Sequence, residues 1–166
     1  MAKIAIMGFG TVGAGVAEVA RRNQDVIAQR LGEEVYVKYI LDVRDFADSP
    51  YADRMIKDFS IIENDPEVEV VVESIGGAKV ALDFTRRCLL AGKHVVTSNK
   101  ELVATYGREL LEIAREKNVN YLFEASVGGG IPVLRPLFQE LAANQIEEIV
   151  GILNGTTNYI LNRMVK

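Results

Sequence analysis

Short apolar segments alternate with longer amphipathic segments along most of the chain. The apolar segments are rich in Val and Ile and are bounded by glycine or polar residues, which is typical of strands covered on both faces of a parallel sheet. The amphipathic segments repeat apolar residues at intervals of three and four, which predicts helices that pack on such a sheet. We predict strands at residues 3–8, 34–42, 68–77, 94–98 and 120–125, and helices at residues 11–32, 79–92 and 101–118.

This alternation of strands and helices predicts an α/β fold. Parallel strands joined by helices make right-handed crossovers, so we expect a Rossmann-type doubly wound parallel sheet. The least regular part is residues 43–64, where Pro50 and several aspartates interrupt the pattern. Within that part, the sequence FSII at residues 59–62 favours a short strand.

The last part of the chain has a different character. Pro132 suits the first turn of a helix, residues 146–155 favour one more strand, and residues 156–166 begin an apolar helix that needs a surface to cover. We therefore expect a first domain at residues 1–127 and the beginning of a second at residues 128–166. The rest of that second domain is expected to lie outside this sequence.

Composition and charge narrow the class of protein. The net charge of -4 argues against a nucleic-acid surface, which needs clustered Lys and Arg. No segment has the apolar length of a membrane span, and the apolar start of the chain is too short for a signal peptide. Cys88 is the single cysteine, so no disulfide forms within the chain, and we expect a buried thiol in a cytoplasmic protein.

Three glycines follow the first predicted strand in the spacing G-x-G-x-x-G: Gly8, Gly10 and Gly13. The first permits a tight turn, the second lets the backbone approach a pyrophosphate, and the third lets the helix pack closely. The motif follows a strand and opens a helix, whose first N–H groups favour phosphate. It predicts a dinucleotide site rather than a structural turn.

Three side chains bear on which nicotinamide cofactor is bound. Asp42 ends the second predicted strand, where a carboxylate would accept a hydrogen bond from the ribose 2′-OH of NAD. Arg44 could instead pair with the 2′-phosphate of NADP, with help from Lys57. An arginine beside an acid is also a common surface ion pair. The residues favour NADP slightly and leave NAD open.

Two later strands add residues at the carboxyl edge of the sheet, where ligands bind in such folds. Ser74 and Gly76 lie at the end of one strand and suit contact with a cofactor ribose, although a plain strand-to-helix turn explains them equally well. Lys100 follows the next strand, where an ammonium group could polarise a carbonyl or stabilise an alkoxide. Alternatively, Ser98 or Asn99 caps the helix and Lys100 points to solvent.

Four blocks of sequence resemble those of homoserine dehydrogenases, in the same order and at similar spacing. They are GFGTVG (8–13), AGKHVVTSNKELVA (91–104), EASVGGGIPVLRPL (124–137) and GILNGTTNYIL (151–161). The resemblance implies an NAD(P)H-dependent oxidoreductase that reduces L-aspartate 4-semialdehyde to L-homoserine, on the route to threonine, isoleucine and methionine. It also implies that residues 128–166 begin a substrate and dimerisation domain.

The resemblance assigns residues to the cofactor. Phe9, Thr11 and Val12 match positions that line the cofactor phosphates through their backbone groups. Arg44 matches an arginine that meets the 2′-phosphate in NADP-using relatives. Ser98 stands beside the cofactor where the common family sequence has alanine.

The resemblance also implies catalytic and cation-binding residues. Lys100 matches the family's lysine at the junction of cofactor and substrate, and Gly155 and Thr156 match the turn near the substrate. The EASVGGGIP segment resembles a loop that binds a monovalent cation, usually sodium, partly through backbone carbonyls; hard oxygen donors suit such an ion. The matching positions are Glu124, Val127, Gly129 and Ile131.

The family's acidic residues for the substrate amine, and its principal catalytic lysine, lie beyond the NGTTNYIL block and so beyond Lys166. We therefore expect these residues alone to bind cofactor without turnover, and the second domain to pair two chains in a homodimer. Two other interpretations stay open. One is another amino-acid-pathway dehydrogenase, such as an aspartate dehydrogenase or a dihydrodipicolinate reductase; the other is a nucleotide-binding module without activity.

Overall fold

The computed structural model describes residues 1–151 and 155–165. The chain divides into two compact units, Met1–Val127 and Gly128–Lys166. The first contains the sheet and its covering helices. The second contains a short π-helical turn and a terminal helix.

The first unit is built on a sheet of six parallel strands in the order β3-β2-β1-β4-β5-β6. Two halves run outward from β1 and β4, which is the strand order of the doubly wound dinucleotide-binding fold. The predicted fold class is thus confirmed. The strands are β1 (Ala2–Met7), β2 (Val35–Leu41), β3 (Met55–Ile56), β4 (Val68–Glu73), β5 (His94–Thr97) and β6 (Tyr121–Leu122).

Helices cover both faces of the sheet, as apolar strands require. Within residues 1–151 and 155–165, no helix combines the length and apolar character needed to cross a bilayer. The helices are α1 (Thr11–Arg22), α2 (Gln24–Leu31), α3 (Ser60–Asn64), α4 (Lys79–Leu90), α5 (Lys100–Glu116) and α6 (Gly155–Val165). Shorter turns are the 3-10 helices Ala52–Arg54 and Glu124–Ser126 and the π-helical turn Pro136–Glu140.

Each face of the sheet has its own apolar core. Ala17 of α1 packs with Ile6 and Ile40 on one face. On the other, Leu89 of α4 and Leu102 of α5 pack in one cluster with the inward residues of β4 and β5. Cys88 is fully buried in that second core, as expected of a structural thiol, and burial raises the pKa of its thiol to about 12.

Two predictions in the first half were wrong. The single helix expected at residues 11–32 is broken at Asn23, which ends α1 and precedes α2. Residues 59–62 form the start of a helix, α3, instead of a strand, because the buried Phe59 and Ile62 are three positions apart, the spacing of a helical face. The short strand β3 lies just before it and was missed.

At the end of the first unit and in the second unit, several predicted elements differ from the observed ones in length or in the type of secondary structure. The strand expected at residues 120–125 stops at Leu122 and continues as a 3-10 turn. Residues 146–151 are not a strand, and residues 152–154 of that prediction lie outside the described part. The helix expected near Pro132 is reduced to the π-helical turn that starts at Pro136, whereas the terminal helix is confirmed as α6.

Candidate functional site

The glycine-rich turn between β1 and α1 is closed by direct backbone contact. Gly8 has φ +92°, and a Cβ there would lie 2.8 Å from the Ser74 carbonyl oxygen of the neighbouring segment. A Cβ on Gly13 would lie 1.9 Å from the Gly8 carbonyl oxygen. A side chain at Gly13 would force α1 away from the turn, and one at Gly8 would push apart the ends of β1 and β4. By contrast, a Cβ on Gly10 would meet only the Arg44 guanidinium, at 3.9 Å.

Ser74 holds this turn in place. Its hydroxyl lies within hydrogen-bond distance of the carbonyl oxygens of Met7, at 3.1 Å, and Gly8, at 2.9 Å. Its backbone N–H also donates to Met7. The structure therefore ties the end of β1 to the end of β4 through a residue that the sequence assigned to the cofactor ribose.

The amino end of α1 is open to a ligand. Thr11 and Val12 are exposed, and the first helical N–H groups have no acceptor within a helix. No acidic residue stands in the first turn, so the partial positive charge of the helix end is not offset there. The N–H of the preceding Phe9 donates to the Asp42 carboxylate at 2.7 Å.

Asp42, which follows β2, accepts several hydrogen bonds on the β2 side of the site. Its nearly buried carboxylate accepts hydrogen bonds from the Arg44 Nε at 3.0 Å, the Arg44 Nη2 at 2.9 Å and two backbone N–H groups. The Arg44 guanidinium, followed by these backbone donors, holds the pKa of Asp42 well below its usual range. Arg44 also lies over the Phe46 ring, 5.0 Å from its centroid, while most of its side chain stays exposed.

Lys57 brings a second positive charge to the β2 side of the site. Its ammonium donates to the Val43 carbonyl at 3.0 Å and to the Arg44 carbonyl, and it pairs with Asp45 at 2.9 Å. Both cations border a cleft of about 370 Å3 next to the glycine turn. The cleft is lined by Gly8, Gly10, Leu41, Asp42, Val43, Arg44, Lys57, Ser74, Ile75, Gly76, Val80 and Phe84.

Lys100 is the first residue of α5, at the same edge of the sheet. Asn99 caps that helix, because its side-chain oxygen accepts a hydrogen bond from the Leu102 N–H at 3.1 Å. The side chain of Lys100 is exposed and has neither a hydrogen bond nor an ion pair with any residue the structure describes. The preceding Ser98 donates its backbone N–H to the Glu73 carbonyl at 3.3 Å. The lysine is therefore free to meet a ligand.

Sequence reasoning missed the two buried polar residues behind this edge, Glu73 and Thr97. Their side chains hydrogen-bond to each other between the carboxyl ends of β4 and β5. Burial raises the pKa of the Glu73 carboxyl group. The available signal was a glutamate closing the β-branched run VEVVVE, where an exposed residue or an apolar one is the usual choice.

The other predicted residues fall near or within the second unit. Glu124 and Val127 lie in and after the last 3-10 turn of the first unit, with the Val127 N–H donating to the Glu124 carbonyl. Gly129 and Ile131 belong to the second unit. No cluster of three His, Cys, Asp or Glu suited to a metal occurs among the described residues.

The predicted substrate residues are on α6. Gly155 begins this helix, and Thr156 follows it with an exposed side chain. Both belong to the second unit. The residues predicted to bind the cofactor all belong to the first.

The chain resembles known proteins over almost its whole length. Residues 8–124 match the family model "Homoserine dehydrogenase, NAD binding domain", and residues 132–166 match the model "Homoserine dehydrogenase". The homoserine dehydrogenase of Bacillus subtilis is 41% identical over 169 residues, which cover 99% of this chain and 39% of that protein. The chain therefore spans about 39% of the length of that curated relative.

Solved structures agree with these matches. The crystal structure of a homoserine dehydrogenase from Thiobacillus denitrificans superposes with a TM-score of 0.91 at 41% identity, over 98% of this chain and 38% of that one. A hyperthermophilic archaeal homoserine dehydrogenase in complex with NADPH superposes with a TM-score of 0.66 at 25% identity, over 82% of this chain and 47% of that one. By its sequence matches and its fold, the chain belongs to the homoserine dehydrogenase family.

Proposed function

We propose that this chain supplies the nucleotide-binding portion of a homoserine dehydrogenase that reduces L-aspartate 4-semialdehyde to L-homoserine. The observation that carries the proposal is the placement of the Gly8–Gly13 turn, the open end of α1 and two cations around one cleft. The turn fits a pyrophosphate, because the backbone is bare at Gly10 and the helix end favours anions. We assign residues 1–127 to nucleotide binding and residues 128–166 to the beginning of a substrate and dimerisation domain.

We propose NADP as the preferred cofactor, with NAD as the alternative. Arg44 and Lys57 present two positive charges to the cleft, and a 2′-phosphate is the part of NADP that NAD lacks. The Asp42 carboxylate, which would accept a hydrogen bond from the 2′-OH of NAD, already accepts from Phe9 and Arg44. The archaeal relative in complex with NADPH supports the same choice.

The residues of this chain would bind and orient the two reactants. Thr11 and Val12 would donate backbone N–H groups to the pyrophosphate, while Gly76 and Ser98 would lie along the ribose and nicotinamide half. The bound cofactor supplies the hydride. Lys100, exposed and unpaired among the described residues, would stabilise the negative charge that develops on the aldehyde oxygen as the hydride arrives.

Membership of the family supports further assignments. We propose that Gly155 and Thr156 contact the substrate, and that the enzyme works as a cytoplasmic homodimer. We also propose a sodium ion held by Glu124, Val127, Gly129 and Ile131. Its oxygen donors would be mainly backbone carbonyls, which suit an alkali cation.

The test is hydride transfer from NADPH to aspartate 4-semialdehyde, followed by nucleotide absorbance, in the full-length protein that carries this chain. Lys100→Ala should lower kcat by about 100-fold or more, the usual effect of removing a group that stabilises a developing oxyanion. Lys117→Ala, at the opposite end of α5, is the matched control and should keep full activity. Equal activity in the two variants would exclude Lys100 from the reaction, and nucleotide binding without any turnover would favour a module that only binds nucleotide.

A further inference from the structure

A fully buried carboxylate stands directly behind the cofactor-facing edge of the sheet. Glu73 is the last residue of β4 and pairs with Met7 of β1 on one side and Thr97 of β5 on the other. Its side chain is 0% exposed, and Thr97 is 1% exposed. A carboxylate is rarely buried this deeply unless hydrogen bonds compensate for the lost water. The proposed reaction gives Glu73 no direct role.

The Glu73 side chain is the acceptor in each of its hydrogen bonds. Its Oε1 accepts from the Ile75 N–H at 2.7 Å, and its Oε2 accepts from the Thr97 hydroxyl. The Thr97 oxygen in turn accepts from the Asn99 N–H at 2.9 Å. Each hydroxyl and N–H group in this series of hydrogen bonds has one acceptor. The series ends at the Glu73 carboxylate, which only accepts. An ionised Glu73 is the form that satisfies all of them.

Asn99 closes the network into a ring. Its side-chain amide donates to the carbonyls of Gly77, at 2.7 Å, and Ile75, at 3.1 Å. Its side-chain oxygen caps α5 through the Leu102 N–H. The turn at residues 75–77, of which Ile75 and Gly76 line the cleft, is thereby joined to the helix end that carries Lys100.

We infer that Glu73 is a positioning residue, which acts through Thr97 and Asn99 to fix the cofactor-facing turn at residues 75–77 relative to Lys100. The inference rests on the proposed function for its consequence, because the nucleotide is what both segments would face. The network itself is a property of the described residues and can be measured without any ligand. Glu73 touches neither cofactor nor substrate and acts only through its neighbours.

The protonation of Glu73 gives the inference a pH dependence. Burial raises the pKa of Glu73, so its carboxylate takes up a proton at higher pH than an exposed glutamate would. Protonation turns Oε2 from an acceptor into a donor toward Thr97, so the Thr97 hydroxyl hydrogen loses its acceptor and the network is weakened. The titratable group facing Glu73 from β6 is the buried Tyr121, whose own pKa is raised by burial and then by the charge of Glu73. That phenol stays neutral while Glu73 titrates.

Four variants separate positioning from general stability. Glu73→Gln keeps the shape of the side chain and replaces one acceptor by a donor. Thr97→Val removes the bridging hydroxyl at nearly constant volume, and Thr97→Ser restores it. Thr85→Val is the matched control, since Thr85 is also 0% exposed but its hydroxyl has no partner among the described residues.

The first measurement is amide hydrogen exchange in the nucleotide-free chain. Glu73→Gln and Thr97→Val should each accelerate exchange at Ile75, Asn99 and Leu102 by roughly tenfold or more relative to core amides of β1, whereas Thr97→Ser and Thr85→Val should not. Unchanged protection at these three amides would overturn the inference, whatever the nucleotide does. A uniform loss of protection across the sheet would also overturn it, because that result indicates stability alone.

The second measurement is calorimetric titration with NADP+, which survives acid, between pH 8 and pH 5. Glu73→Gln and Thr97→Val should bind at least about tenfold more weakly than wild type at pH 8. Wild-type affinity should fall as the pH approaches the raised pKa of Glu73, and that part of the fall should be missing in Glu73→Gln. The 2′-phosphate titrates near about pH 6 and affects all variants alike.

The two measurements distinguish the possible failures. No binding of NADP+ by the wild type at any pH would overturn the proposed function, while amide exchange would still decide whether the network positions residues 75–77. Equal NADP+ affinity in wild type and Glu73→Gln, with the amide protection lost, would overturn the inference and leave the proposed function standing.

Discussion

Single side chains in this site take their roles from partners far along the chain. Asp42 and Arg44 are neighbours in sequence, and their pairing could be anticipated. The hydrogen bond from the Phe9 N–H to Asp42 could not, because it joins the glycine turn to the end of β2 across 33 residues. Because its carboxylate accepts this hydrogen bond, Asp42 helps to hold the glycine turn in place.

The charge of Asp42 should make the folded state depend on pH. Arg44 and the backbone donors lower the folded-state pKa of Asp42, so its contribution to stability is present above the unfolded pKa of about 3.9 and is lost as the pH falls below it. Asp42→Asn should cost about 1–3 kcal/mol in the free energy of unfolding at pH 7, and progressively less below about pH 4. Urea unfolding at several pH values measures this.

Asp48→Asn is the control, since Asp48 is exposed in the same loop. It should leave the free energy of unfolding nearly unchanged at every pH. A constant deficit for Asp42→Asn between pH 7 and pH 2 would contradict the assignment of the stabilising charge to Asp42.

At the scale of elements, the close approach of α1 to β1 depends on one glycine. A Cβ at Gly13 would lie 1.9 Å from the Gly8 carbonyl oxygen, whereas a Cβ at Gly15, in the same helix, has nothing within 4 Å. Gly13→Ala should therefore lower the free energy of unfolding by several kcal/mol, of order 2–4, and weaken nucleotide binding. Gly15→Ala should raise the free energy of unfolding by about 0.5–1 kcal/mol.

Thermal and urea unfolding of the two variants check this pair. Equal effects of the two substitutions would show that α1 does not need the close contact. Preserved nucleotide affinity in Gly13→Ala would show that the glycine turn is not the phosphate site.

Elements with strong periodicity could be predicted from sequence, and elements set by tertiary contacts could not. The buried runs of β1, β4 and β5 were anticipated because parallel strands covered on both faces need continuous apolar residues. Residues 59–62 were misjudged, since a run of four cannot separate a strand from a helical turn by composition. The two-residue strand β3 is defined only by its pairing with β2.

The residues of the site also separate into those that the sequence could predict and those that depend on tertiary contacts. The resemblance and the G-x-G-x-x-G spacing pointed to positions around the cleft, including Gly8 and Arg44, and the cleft contains them. Neither source indicated that Glu73 and Thr97 connect the two strand ends, because that connection depends on which strands are neighbours. The sequence predicted residues along the carboxyl edge of the sheet, whereas the polar network behind them depends on the fold.

At the scale of the whole molecule, the second unit presents apolar surface. The exposed residues of α6 include Ile160, Leu161 and Met164, at 51%, 54% and 76%. Apolar surface of this kind favours association. We expect the chain to self-associate with rising concentration, and Leu161→Glu to weaken that association.

Sedimentation velocity across a range of concentrations measures this prediction. Asn162→Glu is the matched control, because it adds the same charge at an already polar, exposed position of α6. A monomer at all concentrations, or equal weakening in the two variants, would contradict self-association through the apolar residues of α6.

The central claim is that the first unit forms an NADP site, and calorimetric titration with NADPH and NADH tests it most directly. We expect NADPH to bind at least about tenfold more tightly than NADH, because Arg44 and Lys57 border the cleft and would pair with a 2′-phosphate, which NADH lacks. Arg44→Ala should weaken NADPH binding by about tenfold or more and leave NADH binding little changed, while Arg30→Ala, on the exposed α2, should alter neither. Equal loss of both nucleotides in Arg44→Ala, or no binding of either by the wild type, would contradict the account.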